Sequence, residues 1–181
     1  MLKIILIAIA VIIVVFVIVV AMRPADFKVE RSATIAAPPA VVFEHINDLH
    51  KWQKWSPWAK ADPEAKTTFE GPPAGVGAMF SWDGKKTGAG KMINIESVPD
   101  QLVRYRLEFK KPFEATNTAT FSLKPAGPQT FVTWKMTGRN NFFFKVFSVF
   151  MDCDKMIGGD FEKGLADLKI IAEAENSQKG K

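Results

Sequence analysis

Cysteine, histidine and tyrosine are scarce in this chain of 181 residues, which has one cysteine, two histidines and one tyrosine. Cys153 has no partner for an internal disulfide, and a single cysteine is compatible with either redox compartment. His45 and His50 both fall in short early helices, so a serine–histidine–aspartate triad has thin support. The composition therefore offers few residues for catalysis by cysteine, histidine or tyrosine side chains.

Two further signatures of chemistry are incomplete. Metal binding requires clustered histidine, cysteine or carboxylate ligands, and Asp152-Cys153-Asp154 is the nearest candidate. Alternate residues do not share a helix face, so a solvated turn with one buried thiol explains this segment better. Gly88-Ala89-Gly90 lacks the following helix and the Gly-Lys-Ser/Thr signature of a phosphate loop, and it favours a hairpin turn.

The charge is moderately basic, with a formal net charge of +5 and a pI near 9.3. The basic residues are scattered along the chain, and Lys179 and Lys181 lie in a terminal tail. A nucleic-acid site needs a basic stripe or patch, so no nucleic-acid partner is expected. A mildly basic face toward anionic lipid fits better beside a membrane anchor.

Charge is absent from a long N-terminal run, Ile4 to Met22. About twenty apolar residues cross a bilayer core as one helix, so residues 1–23 are predicted to be a single-pass anchor. In a cleaved signal peptide, Lys3 would supply the basic region and Val19-Val20-Ala21 the cleavage site. However, the run exceeds the usual length of about 7–15 residues and lacks a polar region before the cleavage site. A buried core helix would carry a polar stripe, which is missing here.

The orientation of the anchor is weakly encoded. Lys3 and the α-amino group precede the run, and Arg23, Lys28 and Arg31 follow it, so the positive-inside rule is nearly balanced. A short basic segment before a long apolar run is typical of a signal anchor, which places the following domain on the non-cytoplasmic side of the membrane.

Residues 24–173 have the composition of one folded domain, and residues 174–181 form a polar tail. A first strand is predicted at Phe27–Ile35. A short helix follows, with Pro38 or Pro39 in its first turn and its end near Asn47-Asp48. A second short helix or turn, Leu49–Trp58, is stopped by Pro57. Period-two patterns then predict six strands, Thr67–Phe69, Ala78–Trp82, Gly90–Val98, Leu102–Phe109, Thr116–Leu123 and Thr130–Thr137. The helical period returns over Phe142–Glu173, with a kink or break at Gly158-Gly159.

This order predicts an α+β fold. Short turns between consecutive strands favour a curved antiparallel sheet of six or seven strands. One apolar face of that sheet must be covered, and the long C-terminal helix is the element large enough to cover it. A strongly curved sheet around one helix tends to leave a gap between them, where a ligand would bind.

Four segments resemble the START-like helix-grip superfamily (SRPBCC), in particular its polyketide cyclase/dehydrase and lipid-transport branch. They are RSATIAAPPAVVFEHINDLHKWQKWSPW (31–58), the glycine-flanked strands from Gly75 through Phe80-Ser81-Trp82 to Met92, TFVTW (130–134), and GDFEKGL (159–165). The resemblance implies a seven-stranded sheet wrapped on a long helix, a cavity for lipids, sterols, polyketides or other apolar molecules, and no cofactor. The superfamily includes enzymes and proteins without a known ligand, so the fold alone does not determine the chemistry.

Strand alternation predicts which side chains face the helix. The candidate cavity lining is Phe80, Trp82, Tyr105, Leu107, Phe109, Phe121 and Trp134 from the strands, with Phe147, Met151 and Phe161 from the helical region. A dry core would use the same residues, and about half of them are expected to be ordinary packing.

A few polar and aromatic residues have specific interpretations. Tyr105 is the best candidate for orienting a polar ligand head, or for acid catalysis in an enzyme; Glu108, which faces outward, and Arg139 are weaker candidates. Trp52, Trp55 and Trp58 recur every three residues, which favours core packing over a role at the cavity mouth.

The sequence thus favours membrane-anchored binding of an apolar small molecule or lipid. The alternatives are a cyclase or dehydratase that uses the same cavity, which requires a buried acid or base, and an interaction module for a membrane partner without a ligand.

Overall fold

The computed structural model describes residues 1–139, 145–146, 149 and 153–179. Five helices are described outside these gaps: α1 (Leu2–Met22), α2 (Pro39–Asn47), α3 (Leu49–Trp55), α4 (Pro57–Ala61) and α5 (Cys153–Lys179). The strands are β1 (Asp26–Ile35), β2 (Lys66–Glu70), β3 (Met79–Gly84), β4 (Gly88–Val98), β5 (Leu102–Lys111), β6 (Ala115–Ala126) and β7 (Gln129–Arg139).

The seven strands form one antiparallel sheet in the order β1-β7-β6-β5-β4-β3-β2. Strands β2 to β7 make a meander, because each pairs with the next along the chain. The first strand closes the order by pairing with the last, in a register that joins Asp26 to Arg139 and Ile35 to Thr130. The predicted α+β helix-grip architecture is confirmed, with seven strands rather than six.

The short helices begin where capping chemistry allows. Pro39 occupies the first turn of α2, where the missing N–H needs no partner. The Asp48 carboxylate accepts hydrogen bonds from the backbone N–H groups of His50 and Lys51 at the start of α3. The helix that begins at Leu49 ends at Trp55, before Pro57, as predicted. The sequence analysis missed a further helix, α4, which Ser56 caps and Pro57 begins.

Helix α5 packs along the concave face of the sheet. It is continuous through Gly158-Gly159, so the predicted break there is wrong, and it continues past Glu173 to Lys179. Its N-terminal part is tied to β1 by Arg31, whose guanidinium binds the carboxylates of Asp154 and Glu162 at 3.0 and 2.8 Å. The predicted start of the helix near Phe142 lies outside the described residues.

Helix α1 joins the sheet at one defined edge. Residues 23–25 separate it from β1, and its side chains are exposed apart from Phe16 and Val20. Its last turn touches the domain, since Lys145 Nζ lies 3.4 Å from the Ala21 carbonyl oxygen. Its length and a mean hydropathy of 3.8 suit a membrane span. The antiparallel order brings the β3–β4 turn, the β5–β6 turn and the end of β7 to the same end of the strands as the start of β1. This end of the sheet is called the anchor-side edge below.

Candidate functional site

The concave face of the sheet is lined by alternate residues of every strand. One row crosses the sheet through Phe27, Gly138, Asn117, Leu107 and Met92, which are paired in that order. Rows nearer the anchor-side edge are covered less completely than rows farther from it. Among the described residues the face therefore divides into a fully buried part, called the sealed part below, and a half-buried part, called the open part below.

The sealed part is an aromatic core formed by residues of α3, α4, α5 and two strands. Trp134 lies at its centre, with Phe121 beside it at a centroid distance of 4.8 Å and Phe161 stacked on it at 4.0 Å. Trp52, Trp55 and Trp58 contact the Trp134 ring edge-on at 5.4, 5.6 and 5.7 Å. Such pairs favour tilted and offset arrangements, and their burial energy is large. The three tryptophans thus serve packing, as favoured from the sequence.

The Tyr105 hydroxyl is already bonded inside this sealed part. Its Oη donates a hydrogen bond of 2.5 Å to the Ile46 carbonyl oxygen, and the side chain is fully buried. Burial raises the pKa of this phenol above its usual value, because the phenolate would lose its hydration. Tyr105 therefore fixes α2 against β5, and its hydroxyl is committed to a backbone carbonyl.

The open part lies at the anchor-side edge and consists of half-buried apolar side chains. Phe27, Trp82, Leu107 and Phe109, together with the buried Asn117, are called the apolar opening below. The Trp82 and Phe109 rings meet edge-on with centroids 5.7 Å apart. The absence of a side chain at Gly90 permits this arrangement, since a Cβ there would lie 2.6 Å from the Trp82 ring.

Phe80 forms the inner boundary of the opening. Its ring contacts those of Phe69 and Trp82 at 6.0 and 5.5 Å. The Trp82 indole N–H donates to the Thr87 carbonyl oxygen at 3.3 Å, which holds the ring in place. A continuous aromatic wall thus follows β2, β3 and β5 along the opening.

Asn117 was missed in the sequence analysis. It extends the inward alternation of Ala119, Phe121 and Leu123 by one step toward the edge, so the signal was available. Its amide lies opposite Leu107 on β5 and against Gly138 on β7, where a Cβ at 138 would be 2.0 Å from Asn117 Oδ1. A polar amide in an apolar surrounding is the kind of group that orients a ligand.

Five buried polar atoms lack a hydrogen-bond partner among the described residues: His45 Nδ1 and Nε2, Gln53 Nε2, Asn94 Oδ1 and Trp134 Nε1. Trp134 Nε1 is a donor inside the aromatic core, and Asn94 Oδ1 is an acceptor beside α2. The other end of the Asn94 amide donates to Asn47 Oδ1 at 3.0 Å, which also accepts from Ser97 Oγ at 2.8 Å. Buried groups of this kind usually find partners, and both Trp134 Nε1 and Asn94 Oδ1 lie on fully buried side chains.

Two of the acid and base candidates, Glu108 and His45, lie away from the opening, whereas Arg139 lies at the anchor-side edge. Glu108 points outward as predicted, and Lys91 and Arg106 lower its pKa by hydrogen bonding and attraction. Burial lowers the pKa of His45, although its Nε2 lies 2.9 Å from Glu175 Oε2 on α5. Arg139 is exposed at the end of β7. Within the described ranges, no group of three His, Cys, Asp or Glu side chains is arranged to hold a metal ion.

The ten predicted lining residues separate accordingly. Trp82, Leu107 and Phe109 border the opening, with Phe80 behind them, whereas Tyr105, Phe121, Trp134 and Phe161 pack against one another in the sealed part. Phe147 and Met151 lie outside the described residues. The sequence pattern identified the concave face but did not separate its sealed and open parts.

Solved structures share this architecture at low sequence identity. Protein CV1439 from Chromobacterium violaceum is 18% identical, with a TM-score of 0.59 over 83% of this chain and 99% of that one. The Aha1 dimer from Colwellia psychrerythraea is 16% identical, with a TM-score of 0.58 over 81% of this chain and 96% of that one. The di-domain ARO/CYC protein StfQ from the steffimycin biosynthetic pathway is 10% identical, with a TM-score of 0.61 over 83% of this chain and 52% of StfQ. At these identities the likeness establishes the fold alone.

Sequence comparison identifies the family. None of the curated proteins compared matches the chain significantly. The family model described as polyketide cyclase / dehydrase and lipid transport matches residues 26–173, which include the whole sheet and most of α5. The chain therefore belongs to the polyketide cyclase/dehydrase and lipid-transport family.

Proposed function

We propose that this protein is a membrane-anchored binder of an apolar small molecule or lipid, which it takes up through the apolar opening. The observation that carries the proposal is the position of the opening: its half-buried apolar side chains lie at the edge of the sheet that α1 joins. A ligand dissolved in the bilayer would meet this edge first.

The short connection between anchor and sheet supports this arrangement. Residues 23–25 span at most about 14 Å between Met22 and Asp26 when fully extended. With α1 in the bilayer, Phe27 and the opening stay close to the headgroup region. Such proximity raises the local concentration of a membrane-dissolved ligand at the site.

Binding in this proposal is burial of apolar surface with one polar contact. Leu107, Phe109 and Trp82 provide apolar walls, and the Asn117 amide provides a donor and an acceptor for a polar head. Each Å² of ligand surface removed from water contributes roughly 25 cal/mol. An apolar ligand therefore gains affinity mainly from its hydrocarbon part, and Asn117 determines its orientation.

Catalysis of the cyclase or dehydratase kind requires an acid or base beside the ligand. The five described residues of the opening have no titratable side chain, and the Tyr105 hydroxyl is bound to the Ile46 carbonyl. These observations favour binding over reaction at this site.

The test uses full-length protein extracted from membranes in mild detergent. Native mass spectrometry, followed by solvent extraction of the bound material, is expected to reveal a co-purifying apolar molecule. The matched variants are Leu107→Trp, which fills the opening, and Arg106→Trp, which adds the same ring to the outer face of the same strand. Loss of the molecule in Leu107→Trp alone supports the proposal. A folded parent protein that carries no molecule and takes up no added fatty acid or sterol contradicts it.

A further inference from the structure

We propose that the anchor-side edge is a docking surface for anionic phospholipid headgroups, so that the domain rests on the bilayer with its opening toward the lipid. This inference depends on the membrane anchoring by α1 proposed above. It adds a second contact, made by the folded domain itself, and assigns that contact a lipid class.

The exposed charges at this edge have a moderate basic excess. Lys85 and Lys86 form the β3–β4 turn, Lys66 begins β2, Lys110 and Lys111 end β5, and Arg139 ends β7; all six side chains are exposed. The exposed acidic residues are Asp26, Glu64, Asp83 and Glu114, of which Asp83 lies 3.5 Å from Lys111 Nζ. Asp62 is buried, and its carboxylate accepts hydrogen bonds from the backbone N–H groups of Lys86 and Thr87.

The opposite edge of the sheet provides an internal contrast. Its turns, residues 71–78, 99–101 and 127–128, contain no lysine or arginine, and Asp100 is their one charged residue. The scattered basic residues noted in the sequence are therefore unevenly distributed in space. The sheet concentrates basic turns at the edge that α1 joins.

A cleft at the basic edge has the chemistry of a phosphate site. It has a volume of about 320 Å³ and opens on the outer face of the sheet. Lys66, Lys110 and Lys111 border it together with the hydroxyl groups of Thr68 and Ser81, and Asp83 is the one carboxylate. Ammonium and hydroxyl donors around an open cleft match a lipid phosphate, and the three lysines against one carboxylate favour a headgroup that lacks the choline cation.

The connection formed by residues 23–25 keeps the start of β1 within about 14 Å of the end of α1. Arg139, which pairs with Asp26 at the start of β1, is the basic residue nearest this connection. The β3–β4 turn is separated from β1 by β7, β6 and β5. Because the potential of an anionic leaflet decays over about 8–10 Å at physiological salt, Lys85 and Lys86 contribute only when the whole anchor-side edge rests on the bilayer, which is the orientation proposed here.

The experiment uses the full-length protein in nanodiscs of phosphatidylcholine alone, or of phosphatidylcholine mixed with phosphatidylglycerol. Hydrogen–deuterium exchange is followed in peptides that cover residues 84–88 and 110–115. Slower exchange is expected in the anionic nanodiscs, with the difference disappearing at high salt. The variant Lys85→Gln/Lys86→Gln should lower the ratio of docked to undocked domain roughly 30-fold and abolish the slowing. The control variant Lys54→Gln/Lys124→Gln also removes two positive charges, but away from this edge, and it should still show the slower exchange.

The outcomes separate this inference from the proposed function. If the protein enters nanodiscs but both peptides exchange equally in the two lipids, the docking surface is overturned and the anchor stands. If the slowing occurs equally in Lys85→Gln/Lys86→Gln, the basic edge is not its cause, and the inference is again overturned. If the protein elutes apart from the nanodiscs, α1 is not an anchor and both proposals fail.

Discussion

The Trp134 indole stacks on the Phe161 phenyl ring with centroids 4.0 Å apart and planes 5° from parallel. Trp134 belongs to β7 and Phe161 to α5, so this contact joins the sheet to the helix that covers it. Gly164 follows on the same side of α5, and a Cβ there would lie 2.8 Å from Trp134 Cζ3 and 3.2 Å from Pro57 Cδ. The missing side chain lets the helix lie against the indole.

Two glycines of α5 should respond oppositely to alanine. Gly164→Ala is expected to lower the free energy of unfolding by about 1–3 kcal/mol, because the added methyl overpacks the Trp134 contact. Gly159→Ala meets no described atom within 4 Å, and it should raise stability by up to about 1 kcal/mol through helix propensity. Urea unfolding followed by tryptophan fluorescence measures both; equal effects would contradict the close approach at Gly164.

Removal of the Tyr105 hydroxyl should affect stability and leave binding intact. Tyr105→Phe leaves the buried Ile46 carbonyl oxygen without its hydrogen-bond donor, which should lower the free energy of unfolding by about 1–3 kcal/mol. Uptake of a fluorescent fatty acid or sterol is expected to match the parent protein, since the hydroxyl is committed to the backbone. A stable Tyr105→Phe protein with weakened uptake would instead place the hydroxyl in contact with the ligand.

Filling the apolar opening should prevent uptake at small cost in stability. Leu107 is half-buried, so a tryptophan there occupies open space and is expected to cost less than the roughly 1–3 kcal/mol of overpacking in a solid core. Arg106→Trp, on the opposite face of β5, should retain uptake of the same fluorescent probe. Normal uptake by a folded Leu107→Trp protein would locate binding elsewhere.

Acid should weaken the domain through His45. Burial holds the pKa of His45 below its ordinary value of about 6.5, and the nearby positive charge of Lys51 lowers this pKa further. The carboxylates of Glu175 and Glu44 act in the opposite direction and raise the pKa, but they do not outweigh burial. Between these two pKa values the unfolded chain binds more protons than the folded one, so stability falls as pH decreases below about 6.5, by at most about 1.4 kcal/mol per pH unit.

The control for this pH effect is His45→Gln, which cannot titrate. Its unfolding free energy should fall less than that of the parent between about pH 7 and about pH 5.5. The carboxylate of Glu175, whose pKa is lowered first by Lys179, contributes below this range. Parallel pH profiles for the parent and the variant would show that His45 titrates alike in both states.

The membrane anchor makes its own prediction. Protein expressed from the full chain should remain in the membrane pellet after carbonate extraction, because α1 is 21 residues long and carries no charge after Lys3. Its N-terminus should include residues 1–21. A soluble product that begins at Met22 would identify the segment as a cleaved signal peptide.

The period-two patterns of apolar residues and the short turns between them were sufficient to predict the sheet. Alternation in Val103, Tyr105, Leu107 and Phe109 gave the inward face of β5, and the short turns gave the antiparallel meander. Pro57 ends one helix as predicted, but the helix that it begins was missed, because a proline can also start a helix once Ser56 supplies a cap. Gly158-Gly159 was misjudged, since packing against β1 maintains a helix that propensity alone would weaken.

The candidate site was harder to predict for a physical reason. Alternation tells which face a side chain occupies and carries no information on how far along the strand the covering helix extends. Phe121 and Phe109 both point inward, yet one lies beneath tryptophan rings and the other at an edge. Their difference depends on contacts between distant segments, which a local pattern does not encode.

The pairing of β1 with β7 has a consequence for biosynthesis. β1 follows the anchor directly, but its partner begins about a hundred residues later, so the first strand emerges with its neighbour not yet translated. Pairing between segments so far apart in sequence is slow, and an unpaired strand edge is prone to aggregation. The meander from β2 to β7 can assemble first from neighbouring hairpins, and β1 then joins as the last strand. Until that step the sheet has an open edge, and the proposed insertion of α1 would hold that edge beside the membrane during translation.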